Sequence, residues 1–385
     1  MKRFAAGLST PAIAAVLLVT GSVLADVTMT DVTAWQTQQR AANEQKKLEK
    51  KLRRSQPGSG LSALGTSTPK RLSTGSQSLV DASGLQYFIN TNITFSTSSS
   101  ASGAMSEASF TGPVQATTSA GGTVASTLND AFDGYNSLWF SQTATGPAET
   151  GNSAYVAYNK NGAASLDSAC AGRRVVFPTQ PIYGLQVSRR VFVPANDSFA
   201  RWETVLTNAT GSAIAVNVIS SNNLGSDANT RVDSTSSGDA AATAADYWVS
   251  TWQNYSGTTS SDPRLAHVLW GPGGIGPSVV HFTDGDDNPY WAFHVVVPAN
   301  QTRILLHFVT GQPSKAAARA KATQLAANPL TANAAACLNE FELTEIVNFA
   351  SAVAEAKIPA LDRTGLLALV AAIAAAGFFA HRRIA

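Results

Sequence analysis

The chain has 385 residues, 44% of them hydrophobic and only 14% charged, with a formal net charge of +2. It is long enough for a substantial core, and so even a charge balance argues for no particular partner. Ser, Thr, Ala, Asn and Gly crowd its middle, a composition suited to an all-β extracellular domain with many turns.

Residues 1–25 read as a secretory signal: Lys2 and Arg3, then the apolar run Ala12–Val19, then the small-residue site Val23-Leu24-Ala25. The mature chain is expected to start near Asp26. Residues 26–78 then form a polar spacer. A helix is predicted from about Asp31 to Arg54, which holds good helix formers and no Gly or Pro. Pro57, Gly58, Gly60, Gly65 and Pro69 make the following segment a flexible linker. The basic run Lys46, Lys47, Lys50, Lys51, Arg53 and Arg54 has no aromatic neighbours for base stacking. It reads as a solvated helix face, and no nucleic acid is expected as a partner.

Residues 79–349 are predicted to be one antiparallel β-sandwich domain. Its strands are clearest in ARWETVLTN, AIAVNVIS, YWVSTW, LAHVLW, SVVHFT, WAFHVVVP and RILLHFVTG, short β-branched or aromatic runs between turn residues. The sequence VPAN occurs at 193–196 and again at 297–300, each time between two strand candidates, as if one hairpin were used twice. PSKAAARAKATQLAANPL is a helical run stopped by Pro329, and ELTEIVNF starts a last short helix. These form a helical trim at the end of the β body.

Cys170 and Cys337 are the only cysteines. In an oxidising compartment they are expected to pair, closing a loop worth about 4 to 5 kcal/mol on the entropic account. Free buried thiols are the alternative.

His267, His281, His294 and His307 recur at steps of 14, 13 and 13, each inside a strand candidate. The midpoints between them fall in the turns GPGGIGP, DGDDNP and VPANQT. An unbulged meander would therefore place the four side by side on one face, a ligand face. The opposite face, with Val268, Trp270, Val280, Phe282, Trp291, Phe293, Val295, Ile304, Leu306 and Phe308, would meet the inter-sheet core. Such a row serves as a structural ladder, a sugar-contacting surface or, less readily, a zinc site.

Asp284, Asp286 and Asn288 place oxygens at alternate positions, a weak calcium pattern within what is first of all a hairpin turn. Asp227 and Asp246 could pair for glycoside chemistry if the fold brought them close. No cofactor motif is present, and no cofactor is expected.

Residues 350–385 carry Ile358, Pro359, Ala360, Leu361 and Gly365, an apolar run from Gly365 to Ala380, and the basic end Arg382 and Arg383. The run is 16 residues, just under the roughly 17 to 25 of a spanning helix. A transmembrane helix is expected there, with the arginines cytoplasmic. This end resembles the IPTL-CTERM sorting signal, although Ala360 stands where the usual motif has threonine. The resemblance implies an exosortase-type membrane enzyme as partner, cutting near the motif and passing the protein to the cell surface; a plain membrane anchor is the alternative.

Segments of Gly184–Val309, among them GLQVSRRVFVPANDSFARWETVLTN, NNLGSD and DPRLAHVLWG, resemble bacterial surface proteins with a galactose-mutarotase-like β-supersandwich. That resemblance implies the fold and a carbohydrate setting. The sequence is thus read as an exported surface or matrix protein with a structural or polysaccharide-binding role. Its rival reading is a carbohydrate-active lyase or hydrolase.

Overall fold

In Leu185–Phe192 the side chains of Leu185, Val187, Arg189 and Val191 are buried while Gln186 is exposed, a period-two strand with one face in a core. A computed structural model describes residues 75–91, 102–147, 153–159, 163–255 and 259–350. The leader, the 31–54 helix, the linker, the sorting motif and the 365–380 span lie outside the described residues. No helix among the described residues is long and apolar enough to cross a membrane.

The described chain is mainly β and antiparallel. Eight strands form the larger sheet: β8 (Ser165–Leu166), β9 (Arg174–Ile182), β10 (Leu185–Phe192), β11 (Ala200–Thr207), β13 (Thr230–Thr235), β14 (Trp248–Gln253), β15 (Arg264–Val268) and β18 (Thr302–Gln312), ordered β13-β14-β15-β18-β11-β10-β9-β8. Five form the second: β6 (Ser137–Ser141), β7 (Val156–Ala157), β12 (Ile214–Ser221), β16 (Val279–His281) and β17 (Tyr290–Val297), ordered β16-β17-β12-β6-β7. A three-stranded sheet, β1 (Ser76–Val80), β2 (Leu85–Asn90) and β3 (Met105–Phe110), adds Tyr87, Ile89 and Met105 to the same core. β4 (Val114–Thr117) and β5 (Thr123–Ser126) make a separate hairpin.

The two large sheets face each other. Val187, Trp202, Leu265, Leu305 and Val309 of the larger sheet share one core with Val216, Val218, Trp291, Phe293 and Val295 of the smaller. The larger sheet is covered on its other face too. There Trp248, Ala266, Val268, Ile304, Leu306 and Phe308 pack under Ala318, Ala322 and Leu325 of helix α1 (Lys315–Leu325), and under Leu330 and Phe349. Alanines at i and i+4 let the helix approach the sheet closely, and the Ser314 hydroxyl caps it by accepting from Ala317 N at 3.1 Å.

The chain then lies along this face through α2 (Ala332–Ala335) and α3 (Glu340–Glu345), the latter opened by a capping box between Asn339 and Glu342. A disulfide joins Cys337 to Cys170, across 167 residues of sequence and 5.6 Å between Cα atoms.

Candidate functional site

The histidine row does not form. β15 and β18 lie in the larger sheet, β16 and β17 in the smaller, so GPGGIGP and VPANQT are crossings between sheets and not hairpins. His267 stands opposite Val309, His307 opposite Trp202, His281 opposite Tyr290 and His294 opposite Asn217. The core-facing set divides in the same way. Val280, Phe282, Trp291, Phe293 and Val295 do face the inter-sheet core, whereas Val268, Ile304, Leu306 and Phe308 face the helices. The echo of VPAN is likewise undone: the first copy closes the β10–β11 hairpin, and the second crosses from one sheet to the other.

His267 and His307 are buried between the sheets and closed to any ligand. The Tyr135 hydroxyl lies 2.8 Å from Nδ1 of His267 and the Thr251 hydroxyl 3.0 Å from Nε2, while Trp291 Nε1 donates to His307 Nε2 at 3.3 Å. Burial pushes both imidazoles down to about 3, with the nearby Arg189 cation adding to the effect on His307. They are neutral bracing groups.

His281 stacks on Tyr290, with ring centroids 5.0 Å apart, and lies 3.5 Å from an Asp286 carboxylate oxygen. His294 is exposed and bonds Asn217 Oδ1 at 3.0 Å. Two residues on each sheet cannot serve as one ligand face.

The carboxylates of the acidic turn are also occupied by backbone amides, one from β13 and one from the turn itself. Asp284 accepts from Val232 N at 2.8 Å, and Asp286 from Asn288 N at 3.0 Å. Among the described residues no three metal-ligating side chains converge. Asp227 precedes β13 at the end where Thr230 pairs with Gln253, and Asp246 precedes β14 at the end where Thr235 pairs with Val249. Five residues of strand, about 16 Å, separate those ends, beyond the reach of a glycosidase carboxyl pair. Asp246 instead holds its own loop, accepting from Thr243 N and Oγ1, both at 2.9 Å.

The densest charge cluster is closed to substrate. Glu203, fully buried, lies 2.6 Å from Arg201, 3.2 Å from Arg190 and 3.4 Å from Arg174. The α2–α3 strap lies over it, with Glu342 paired to Arg190 and the Cys337 carbonyl accepting from Arg174.

An open cleft lies where the helical layer ends. Trp248, Ser250 and Trp252 of β14 point to the same side by strand periodicity. Trp248 is buried there in the helix-facing core, whereas Trp252 sits beside Lys315, the first residue of α1, and is only half-buried. Lys315 Nζ stands 4.4 Å above the Trp252 ring. Tyr255 meets Trp252 edge-on at 6.1 Å and 85°, so the two rings make a corner.

Arg264, buried at the start of β15, supports that corner. Its guanidinium donates to the Thr117 carbonyl at 2.9 Å, to Thr259 Oγ1 at 3.0 Å and to Tyr255 Oη at 3.3 Å. Tyr255 in turn donates to the same Thr117 carbonyl at 2.9 Å. Thr117, Thr118, Ser119 and Gly121 of the β4–β5 hairpin form the far wall of a cleft of roughly 250 Å³. Thr117 N donates to the Pro313 carbonyl at 3.1 Å, which fixes the hairpin to the start of α1.

Sequence reasoning passed over this site. Trp252 was visible as a strand residue, Arg264 as part of DPRLAHVLWG and Lys315 as part of a basic helix, but nothing linked them. The available signal was WQNY, two aromatics three residues apart as a strand ends.

No protein-family profile matches the chain, and no curated protein matches it. Among solved structures it is similar to a polysaccharide lyase, at 11% identity and a TM-score of 0.35, over 61% of this chain and 34% of the lyase. It is similar to the heparan sulfate lyase HepC from Pedobacter heparinus at 13% identity and a TM-score of 0.29, over 63% and 37%. It is also similar to the Slr1438 protein from Synechocystis at 8% identity and a TM-score of 0.32, over 66% and 100%. The chain thus spans about a third of the lyases. Likeness of this degree fixes neither substrate nor reaction.

Proposed function

We propose that this chain is an exported surface protein whose β-sandwich binds a glycan in the Trp252–Tyr255 cleft. The aromatic corner carries the reading. Two rings at 85°, with threonine and serine hydroxyls opposite, offer apolar faces to a sugar ring and polar groups to its hydroxyls. The lining residues are aromatic, hydroxylic and cationic, a set suited to recognition. Hydrolysis needs a carboxyl pair flanking the scissile bond, and none lines this cleft among the described residues.

Export rests on the Lys2–Ala25 leader, and surface sorting on Ile358, Pro359, Leu361 and Gly365 with the span and arginines that follow. An exosortase-type enzyme is the processing partner on this reading, and the membrane a temporary one. Mass spectrometry of the mature protein should find a start near Asp26 and an end near Pro359. Recovery of the intact tail in membranes would leave a plain anchor.

Binding is tested by titrating the full chain with a panel of soluble polysaccharides, beside Trp252→Ala and Tyr255→Ala. Each variant should keep the parent melting temperature within a few degrees and lose at least tenfold in affinity. Unchanged affinity in both variants would remove the cleft from the binding role.

A further inference from the structure

We infer that the cleft selects an anionic sugar unit, one bearing a carboxylate or a sulfate, with Lys315 as its ion-pairing group. The inference rests on the glycan-cleft reading and adds the charge of the ligand to it. Three independent features of the site point the same way.

The first is the state of Arg264. Its partners are neutral oxygens: the carbonyls of Thr117 and Asp262 and the hydroxyls of Tyr255 and Thr259. The Asp262 carboxylate accepts from Ser261 Oγ at 3.1 Å. The guanidinium is thus held under the cleft by dipoles and by the Tyr255 ring, 5.6 Å away, and its positive charge stays in the local field.

The second is the shortage of acid around the exposed cations. Lys315 and Arg319, one helical turn apart, share a single carboxylate, Asp233, at 3.1 and 2.8 Å. One negative charge therefore answers two positive ones. Both side chains are exposed to a similar degree, 42% and 40%, and Lys315 is the one that lines the cleft.

The third is the start of α1. Its first turn contains no acidic residue, and its first position is Lys315. A cation at a helix N-terminus works against the macrodipole, where Asp or Glu would favour it. Here the lysine adds to the positive end of the helix at the mouth of the cleft, so an arriving anion meets both.

The cleft is also small. A volume of roughly 250 Å³ is on the order of a pyranose ring or two. A single aromatic corner offers no series of platforms for successive bases. The geometry favours one charged sugar seated against Trp252, its anionic group toward Lys315 and its hydroxyls toward Thr118 and Ser119.

The test titrates the full chain with polygalacturonate, its carboxyl-reduced form, dextran sulfate, dextran and an oligothymidylate. At least one anionic polysaccharide should bind tenfold or more tighter than its neutral counterpart, weakening as NaCl is raised from about 50 to 300 mM. Preference for polygalacturonate identifies a carboxylate, and preference for dextran sulfate a sulfate. Lys315→Gln should cut the anionic-to-neutral ratio at least fivefold, and Lys315→Glu should invert it. Equal binding of neutral and anionic forms, with loss in Trp252→Ala, would overturn charge selection and leave the cleft reading intact. No binding of any polysaccharide would defeat that reading itself. Tighter binding of the oligothymidylate would overturn the inference in favour of nucleic acid.

Discussion

The Tyr135 hydroxyl and His267 Nδ1, 2.8 Å apart, join the loop before β6 to the centre of the larger sheet, and Thr251 occupies the other ring nitrogen of the same histidine. Buried this deeply, with hydroxyls as its bonding partners, the imidazole is disfavoured in its charged form by desolvation. His267 and His307 are both pushed down to about 3 by burial, against about 6.5 in an unfolded chain. Between those values the unfolded chain binds two protons that the native state refuses.

Stability should therefore fall as pH drops below about 6.5, by up to about 1.4 kcal/mol per pH unit for each histidine. Asp81 opposes this. Burial raises its carboxyl to about 6 although it accepts from Ser83, Leu85 and Tyr87, so the folded chain takes up a proton there first. Near pH 5 the net slope should correspond to about one proton, and in Asp81→Asn to about two. Denaturant midpoints from pH 7 to 4.5 measure both slopes. A flat parent profile would mean that one of the two imidazoles is charged in the fold.

Glu203 accepts from three arginines in a site closed to water. Glu203→Gln keeps the shape and removes the only charge that all three share. Arg174 and Arg190 keep Asp167 and Glu342, but the fully buried Arg201 loses its ion-pair partner, which should cost about 3 to 5 kcal/mol, read as a lower urea midpoint. Asp167→Asn, at the more exposed edge of the same network, should cost about 1 kcal/mol or less. Equal costs would show that the arginines do not depend on Glu203.

Replacing both Cys170 and Cys337 by serine frees the strap from the β8–β9 turn. A crosslink spanning 167 residues is worth about 5 kcal/mol on the entropic account, and the variant should lose a large part of that. Non-reducing peptide maps of the parent should recover the two cysteines as one linked pair. A variant with the parent melting temperature would mean that α2 and α3 hold the strap unaided.

Strands were legible as short β-branched or aromatic runs between turn residues, as in β12 and β17, and the antiparallel β body followed from them. β15 and β18 have scarcely any alternation: all of Arg264–Val268 and Ile304–Gln312 is buried, since sandwich and helices cover both faces. Which side His267 and His307 take was therefore invisible in the sequence. The midpoint arithmetic assumed hairpins, and a turn of Gly, Pro and Asn looks the same whether the chain folds back on its sheet or crosses to another. The cleft was hidden for a different reason. Thr117, Trp252, Arg264 and Lys315 come from four elements spread over about half the chain, and only the pairing of β14 with β15 and the packing of the β4–β5 hairpin and α1 beside them bring the four together.

The exit of the chain from the β body can be tested at Gly274. Its amide donates to Gly271 O at 3.1 Å, and on either side Gly271 N donates to Asn348 O and Ile275 N to Val347 O, at 2.9 and 2.8 Å. The GPGGIGP crossing thus lies directly on the last described segment. A Cβ at Gly274 would fall 2.1 Å from the Asn348 carbonyl carbon and 2.5 Å from Phe349 N. Those are backbone atoms, and Asn348 cannot retreat. Its side chain accepts from Leu306 N at 2.9 Å and donates to the carbonyls of Leu269 and Leu306 at 2.8 and 2.6 Å. Gly274→Ala should therefore cost about 3 kcal/mol by forcing the crossing and the segment apart. Limited proteolysis should then cut near Val347 faster than in the parent, before the sandwich unfolds. Gly211→Ala, whose Cβ meets nothing within 4 Å, should change stability by no more than about 0.5 kcal/mol. If the two alanines behaved alike, the crossing would not be what holds the C-terminal segment to the sheet.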